Sequence, residues 1–212
     1  MPKTSRRQPA ERPDAIIGAA LEEFASKGYA AARLDDVAAR AGISKGLVYV
    51  YFKTKEELFK AVVRTLLVPR VDHLIADIEA SPLRADELLR GPVLSFMQQM
   101  ARSRIRLVLR LLVAEGPKHP DLTEFYHREV ISRGVRLIRG ILDRGVARGE
   151  LKPNPMQEFP QLFVAPMLVA VIWQMLFEAH SALDTDRMLA AHIEMMLAAI
   201  SNPPVSGAKG KS

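Results

Sequence analysis

The chain has 212 residues, of which 49% are hydrophobic, 25% are charged and none is cysteine. That length suits one or two domains and that apolar share supplies a real core, which argues against wholesale disorder; without thiols, disulfide frameworks and thiolate chemistry are excluded, and a reducing, cytoplasmic setting fits. The formal net charge is +6, and residues 1–64 hold 12 Lys and Arg against 8 Asp and Glu, a mild N-terminal excess of the kind that phosphate backbones reward.

Residues 1–12 are polar and basic with no apolar h-region, and are expected to form a flexible arm, not a secretory signal. Pro13 suits the first turn of a helix; Ile16, Ile17, Ala20, Leu21 and Phe24 then recur at helical spacing until Gly28 ends the run. A second short helix fits 34–41, stopped by Gly42, and a third fits 44–51. Thr54 opens a fourth. In "TKEE" the Thr54 hydroxyl is expected to accept from the Glu57 N–H while Glu57 reaches back to the Thr54 N–H. Leu58, Phe59, Val62, Val63 and Leu66 give this helix an apolar stripe, which Pro69 should kink or interrupt. Five more helices are expected near 83–101, 102–115, 120–148, 156–180 and 184–200, with the clearest breaks at "EGPKHP" and "RGELKPNP". The apolar run 162–177 contains Pro166 and Gln174 and is shorter than the roughly 18–20 residues of a bilayer span, so it reads as a buried helix. The tail, 202–212, has a disordered composition. The fold class is all-α, with about nine helices.

Short helix, glycine turn, short helix is the helix-turn-helix pattern. Val37, Ala38 and Ala41 face inward, with Ala38 small where the helices cross; Gly42 turns the chain through the left-handed region, and Ile43 and Val48 bury the next helix. Lys45, Gly46, Leu47 and Tyr49 are left pointing outward. On DNA this face enters the major groove, with Lys45 on guanine acceptors, Leu47 against a thymine methyl and Tyr49 on a base or phosphate. Tyr51 and Lys55 lie at the far edge, where phosphate contacts set register and the free N–H groups of the fourth helix add anion affinity. The competing reading is a plain helical corner whose Tyr49, Tyr51 and Phe52 are core rings. Phe52 belongs to the core in either case, and Lys53 reads as solvated.

The strings "RPDAIIGAALEEFASKGY" and "LDDVAARAGISKGLVYVYFKTKEELF" resemble the TetR family of transcriptional regulators over residues 12–62, through "F-A-x-x-G-Y", "V-A-x-x-A-G-I-S-x-G" and "Y-x-Y-F-x-x-K-E-x-L". Residues 63–212 are similar in being all-helical and of suitable length. The resemblance implies a DNA-binding head at 13–62 and an effector-binding and dimerisation domain at 63–201. It implies a homodimeric repressor on a palindromic double-stranded operator, released by a small-molecule effector, with no cofactor and no membrane partner. By motif match, Ser44, Lys45, Gly46, Leu47 and Tyr49 open and line the base-facing side, and Val50, Tyr51 and Lys55 take the phosphate side. Arg33 stands where the family often has a capping Thr. Arg caps poorly but suits a phosphate, and Asp35 and Asp36 can offset the missing cap through the helix dipole. Val50 is less polar than the aromatic or His often found there.

Further on, Phe163, Val164, Met167, Leu168, Val171, Ile172, Met175 and Leu176 cover a broad arc of one helix, and Met188, Leu189, His192, Ile193, Met196 and Leu197 stripe the next. Paired with their symmetry mates these helices would make a four-helix interface through Phe163, Met167, Val171, Met175, Met188, His192 and Met196; burial within one protomer is the alternative. Candidate effector-lining residues are Phe96, Met97, Met100, Leu107, Leu111, Phe125, Tyr126, Met167 and Trp173, against an ordinary packed core. Arg102, Arg106 and Arg110 at i, i+4 spacing can hold an acidic effector or form a solvated face. His119, His127, Asp121 and Glu124 are spaced irregularly for a metal, and none is expected. No Gly-rich phosphate loop, nucleophile elbow or H-E-x-x-H is present, so the chain does not read as an enzyme. A helical partner-binding or structural protein is the other class. It accounts for the helices but not for the Tyr and Lys residues after Gly42.

Overall fold

The computed structural model describes residues 12–203; the expected arm (1–12) and tail (202–212) lie, apart from their inner ends, outside the described residues. The helices are α1 Arg12–Ala31, α2 Leu34–Ala41, α3 Lys45–Tyr51, α4 Lys55–Leu66, α5 Val68–Glu79, α6 Ala85–Leu88, α7 Leu94–Arg102, α8 Arg106–Glu115, α9 Pro120–Tyr126, α10 Ser132–Ala147, α11 Gln161–Leu176 and α12 Thr185–Ile200. Five-residue π turns, Leu89–Val93 and His127–Ile131, fuse α6 to α7 and α9 to α10. With α4 and α5 taken as one kinked helix, the segments form nine runs. Among the described residues, strand pairing is limited to one antiparallel bridge, Leu151 to Ser201, and no helix is long and apolar enough to cross a membrane.

The breaks have local causes. The stripe of α4 is interrupted at Leu67, one residue before α5, which leaves Pro69 in a first helical turn where its missing N–H costs nothing. Pro92 sits inside the first π turn, where the wider spacing accommodates its ring. The helix expected over 102–115 starts only at Arg106, because Ser103 is extended (φ −78°, ψ 161°). The helix expected from 156 starts at Gln161. The Asn154 side chain accepts from the Met156 N–H at 3.1 Å and opens a separate 3₁₀ turn, Pro155–Gln157. At α4, Thr54 Oγ1 accepts from the Glu57 N–H at 3.1 Å as expected, but Glu57 reaches past Thr54 to the N–H of Lys53, at 2.7 Å.

The described chain forms two compact units, residues 12–70 with 104–130 and residues 71–103 with 131–203. In the first, α1 packs against α2, α4 and α8. Its centre is Ile16, Ala20, Leu21 and Phe24 with Val37, Ala38, Val48, Leu58, Phe59 and Val62, all buried. Phe24, Tyr29 and Phe59 form a ring trio with centroids 5.7 to 6.0 Å apart. In the second, α12 packs on α7 and α11. Leu88, Leu89, Met97, Leu142, Phe163, Leu189, Ile193 and Leu197 fill its core. Arg90 reaches Glu194 at 2.8 Å, and Arg102 holds Asp186.

Two glycines of α10 separate packing from propensity. A Cβ on Gly145 would stand 2.5 Å from Ala85 Cβ and 2.7 Å from Leu151 Cδ1, whereas a Cβ on Gly140 would meet nothing within 4 Å. Alanine gains about 1 kcal/mol over glycine in a helix, while overpacking costs about 1–3 kcal/mol. In thermal melts Gly140→Ala should therefore stabilise the protein and Gly145→Ala should destabilise it.

Candidate nucleic-acid interface

The turn between α2 and α3 is built as its sequence requires. Gly42 is left-handed (φ 67°, ψ 34°), and its N–H closes onto Ala38 and Ala39 carbonyls. Ser44 caps α3, its hydroxyl accepting from the Leu47 N–H at 3.3 Å. Of the seven residues of α3 only Val48 is buried; Leu47 is half-buried, as is Phe52 beyond its end. Lys45, Gly46, Tyr49, Val50 and Tyr51 are exposed, Val50 at 68%. The plain-corner reading, with Tyr49 and Tyr51 as core rings, is therefore set aside. Lys53 is not merely solvated. Its ammonium donates to the Tyr49 carbonyl at 2.7 Å and closes the C-terminal end of α3, where a cation also suits the dipole.

Both lysines of this face, Lys45 and Lys55, have partners within the protein. Lys45 Nζ lies 2.8 Å from Asp35, and that hydrogen bond holds its ammonium pKa above the usual lysine value. Arg33 precedes α2, is exposed and makes no side-chain cap. Asp36, one of the two first-turn carboxylates, is bound by Lys27 at 2.9 Å, which keeps its pKa below the usual range. Lys55 points back into the protein. Its ammonium donates to the carbonyls of Tyr29 and Ala30, 2.7 Å each, and lies 4.7 Å over the Tyr29 ring.

Two carboxylates frame this head. Glu23 of α1 is 1% exposed and accepts from Arg40 Nε at 3.1 Å and Nη2 at 2.9 Å, with Lys27 at 2.7 Å on its other oxygen. Glu115, the last residue of α8, accepts from the Tyr29 and Ala30 amides at 3.0 Å each. Gly28 makes this approach feasible. Its φ is +77°, and a Cβ there would collide with Glu115 Oε1. Burial pushes the Tyr29 hydroxyl up to about 12, so the ring stays neutral at physiological pH. Glu23 falls on the same stripe as Ile16 and Ala20, which was a usable signal. Glu115 is 87 positions from Gly28, and nothing local marks it.

The other named residues scatter. Leu107, Leu111, Phe125 and Tyr126 belong to the first unit, and Phe96, Met97, Met100, Met167 and Trp173 to the second. Phe125 is 2% exposed beneath Lys60, Arg64 and Arg128, whose charges lie 4.9 to 5.8 Å from its ring centre. Met97, Met100, Leu111 and Tyr126 are buried, and Phe96, Leu107 and Met167 half-buried. The Trp173 indole N–H donates to the Ser181 carbonyl at 2.7 Å and fastens the turn between α11 and α12. Phe163 and Val171 turn into the protomer's own core and have no surface to offer a second copy; Met167, Met175, Met188, His192 and Met196 are half-buried. The exposed apolar side chains of these helices are Leu162, Leu168, Val169, Leu176 and Met195 instead. The arginine series divides, with Arg102 in the second unit on Asp186 and Arg106 and Arg110 in the first. His119 meets the Tyr29 ring edge-to-face, with centroids 4.7 Å apart, and among the described residues no group of three or more His, Cys, Asp or Glu could hold a metal.

A helix-turn-helix that offers a short, exposed, basic and aromatic helix belongs to the DNA-binding regulators, and comparison with known proteins narrows the class. Residues 16–62 match the model of bacterial regulatory proteins of the tetR family, and residues 81–191 match the tetracyclin repressor-like C-terminal domain. The HTH-type transcriptional repressor KstR2 of Mycolicibacterium smegmatis is 30% identical over 151 residues, covering 69% of this chain and 71% of that protein. Among solved structures, the transcriptional regulator FadR of Bacillus subtilis in complex with stearoyl-CoA superimposes with a TM-score of 0.73 at 21% identity, covering 87% of this chain and 97% of that one. A SmeT–triclosan complex gives 0.75 at 22% identity, covering 95% and 98%. The chain belongs to the TetR family of bacterial transcriptional regulators.

Asp35 holds Lys45 in the free protein, and on DNA it would compete with the nucleic acid for that ammonium. Removing that carboxylate frees the lysine and lowers repulsion toward phosphate, at the cost of a favourable first-turn charge on α2. Asp35→Asn should bind DNA on the order of a few-fold more tightly at low salt. Titration of a labelled duplex followed by fluorescence anisotropy checks it.

Proposed function

We propose that the chain is a ligand-responsive repressor that acts in the cytoplasm as a homodimer on a palindromic operator. The observation that carries this reading is the outward face of α3. Tyr49, Val50 and Tyr51 are all large and all exposed, on a seven-residue helix that Lys45 opens. A free surface seldom clusters such side chains without a partner. In a major groove Lys45 meets guanine acceptors and Leu47 a thymine methyl, while Tyr49 reaches a base or a phosphate. Arg33 and Tyr51 lie at the edges, where backbone contacts set register. The reading gives Lys55 an indirect part, since its ammonium already ties α4 to the end of α1.

Dimerisation is supported by the apolar outward face of α11 and α12, where Leu162, Val169, Leu176 and Met195 are exposed. A two-fold dimer sets its recognition helices about 34–36 Å apart, one duplex turn, and so selects a palindrome. The structural relatives solved with stearoyl-CoA and with triclosan support a small molecule as effector here. Such a ligand weakens operator binding only by binding the DNA-incompetent conformation more tightly.

Operator sequences selected from random duplex DNA provide the test. Tyr49→Ala should lower affinity for them by about tenfold or more, as loss of a base contact does, while sedimentation still reports a dimer. If Tyr49→Ala and Lys45→Ala both bind with wild-type affinity, α3 is not the reading element.

A further inference from the structure

The second unit holds a cavity of about 410 Å³ between α5 and α10, within the range of small-molecule sites, about 300–1,000 Å³. Ile75 and Ile78 of α5 and Leu137 and Ile141 of α10 give it an apolar wall. Arg133, Arg136 and Arg144 line it as well, recurring along one side of α10. Arg133 is held by Asp72, and Glu79 is the one carboxylate in the lining.

Arg144 is the unusual member. Its Nε and Nη2 are buried, and among the described residues neither has a hydrogen-bond partner. These two atoms form the edge of a guanidinium that takes a carboxylate or phosphate in a bidentate pair. Elsewhere in the protein that same edge is filled. Arg40 places Nε and Nη2 on Glu23, at 3.1 and 2.9 Å, and Arg102 places the same pair on Asp186. A buried charged donor without an acceptor is destabilising, and a fold keeps one where a ligand completes it.

We infer that the cavity between α5 and α10 binds an anionic amphiphile, its carboxylate or phosphate head on the Nε and Nη2 edge of Arg144 and its hydrocarbon along Ile75, Ile78, Leu137 and Ile141. This inference rests on the effector reading above and assigns that effector's chemical class. Arg133 and Arg136 add positive charge to the lining further along α10. Gly140 lines the cavity at its exposed side, where a Cβ would meet nothing within 4 Å, so a larger side chain there has room to occupy it.

Isothermal titration of the full chain, without DNA, with dodecanoate, dodecyl phosphate and dodecanol tests it. The two anions should bind and dodecanol should bind at least tenfold more weakly; the ratio between the anions tells which head the site prefers. Arg144→Met should lose at least tenfold in affinity for the preferred anion, and Gly140→Leu should block it by occupying the cavity. The ligand-free Arg144→Met protein should also melt higher than wild type, because it no longer buries an unpaired charge. The inference is overturned if neither anion binds, if dodecanol binds as well as they do, or if Arg144→Met binds unchanged. The effector reading fails separately, if an anion that binds with Arg144-dependent affinity leaves operator binding unaltered in a gel shift.

Discussion

The backbone between Gly28 and Ala30 is held by two opposite charges from distant parts of the sequence. The ammonium of Lys55 takes the Tyr29 and Ala30 carbonyls, and the carboxylate of Glu115 takes the amides of the same two residues. Each charge suits its target, because the end of a helix gathers free carbonyls and the turn that follows offers free N–H groups. Gly28, at φ +77° and with no room for a Cβ beside Glu115, is the residue that lets the carboxylate approach. Since Lys55 is the first residue of α4 and Glu115 the last of α8, one turn of chain sets where two helices begin and end against α1. The α2–α3 pair lies in sequence between this turn and Lys55, so both ends of the segment that carries it are tied to one place.

A second layer of charge organises the outward face of the helix-turn-helix. Glu23 draws Arg40 and Lys27 together, Lys27 also takes Asp36, and Asp35 takes Lys45. Only Glu23 is truly buried, so it is the member whose loss would leave α1 and α2 poorly joined. The outer pairs are exposed and screened, which leaves them easy to exchange for phosphate. This gradient, from a fixed inner pair to exchangeable outer ones, suits a protein that must keep its shape while changing partners.

Much of the head was legible because its signals are local. Gly42 must be left-handed for the turn, Ser44 and Thr54 are strong caps, and the stripe from Ile16 to Phe24 repeats at helical period. Partners that lie far off in sequence were not legible. Lys55 looks like a phosphate ligand from its place after the rings, yet its nearest partners are carbonyls 25 and 26 positions earlier. Glu115 gave no signal at all. In the second unit, α11 is apolar nearly all round, so period alone did not say which of its sides faces inward. The core took Phe163 and Val171 and left Leu162 and Val169 outside. The cavity residues carry no local signal because α5 and α10 meet only in the fold, and Arg144 stands among five other arginines between 128 and 148 from which its sequence position does not set it apart.

Amide hydrogen exchange in wild type and Glu115→Ala tests most directly whether this one turn orders α3. The account predicts that the Tyr29 and Ala30 amides exchange at least tenfold faster in the variant, in line with the roughly 1.5–3 kcal/mol of a charged hydrogen bond. The amides of α3 should quicken with them while those of α12 do not. Unchanged exchange at Tyr29 and Ala30, or faster exchange there with α3 unaffected, would contradict it.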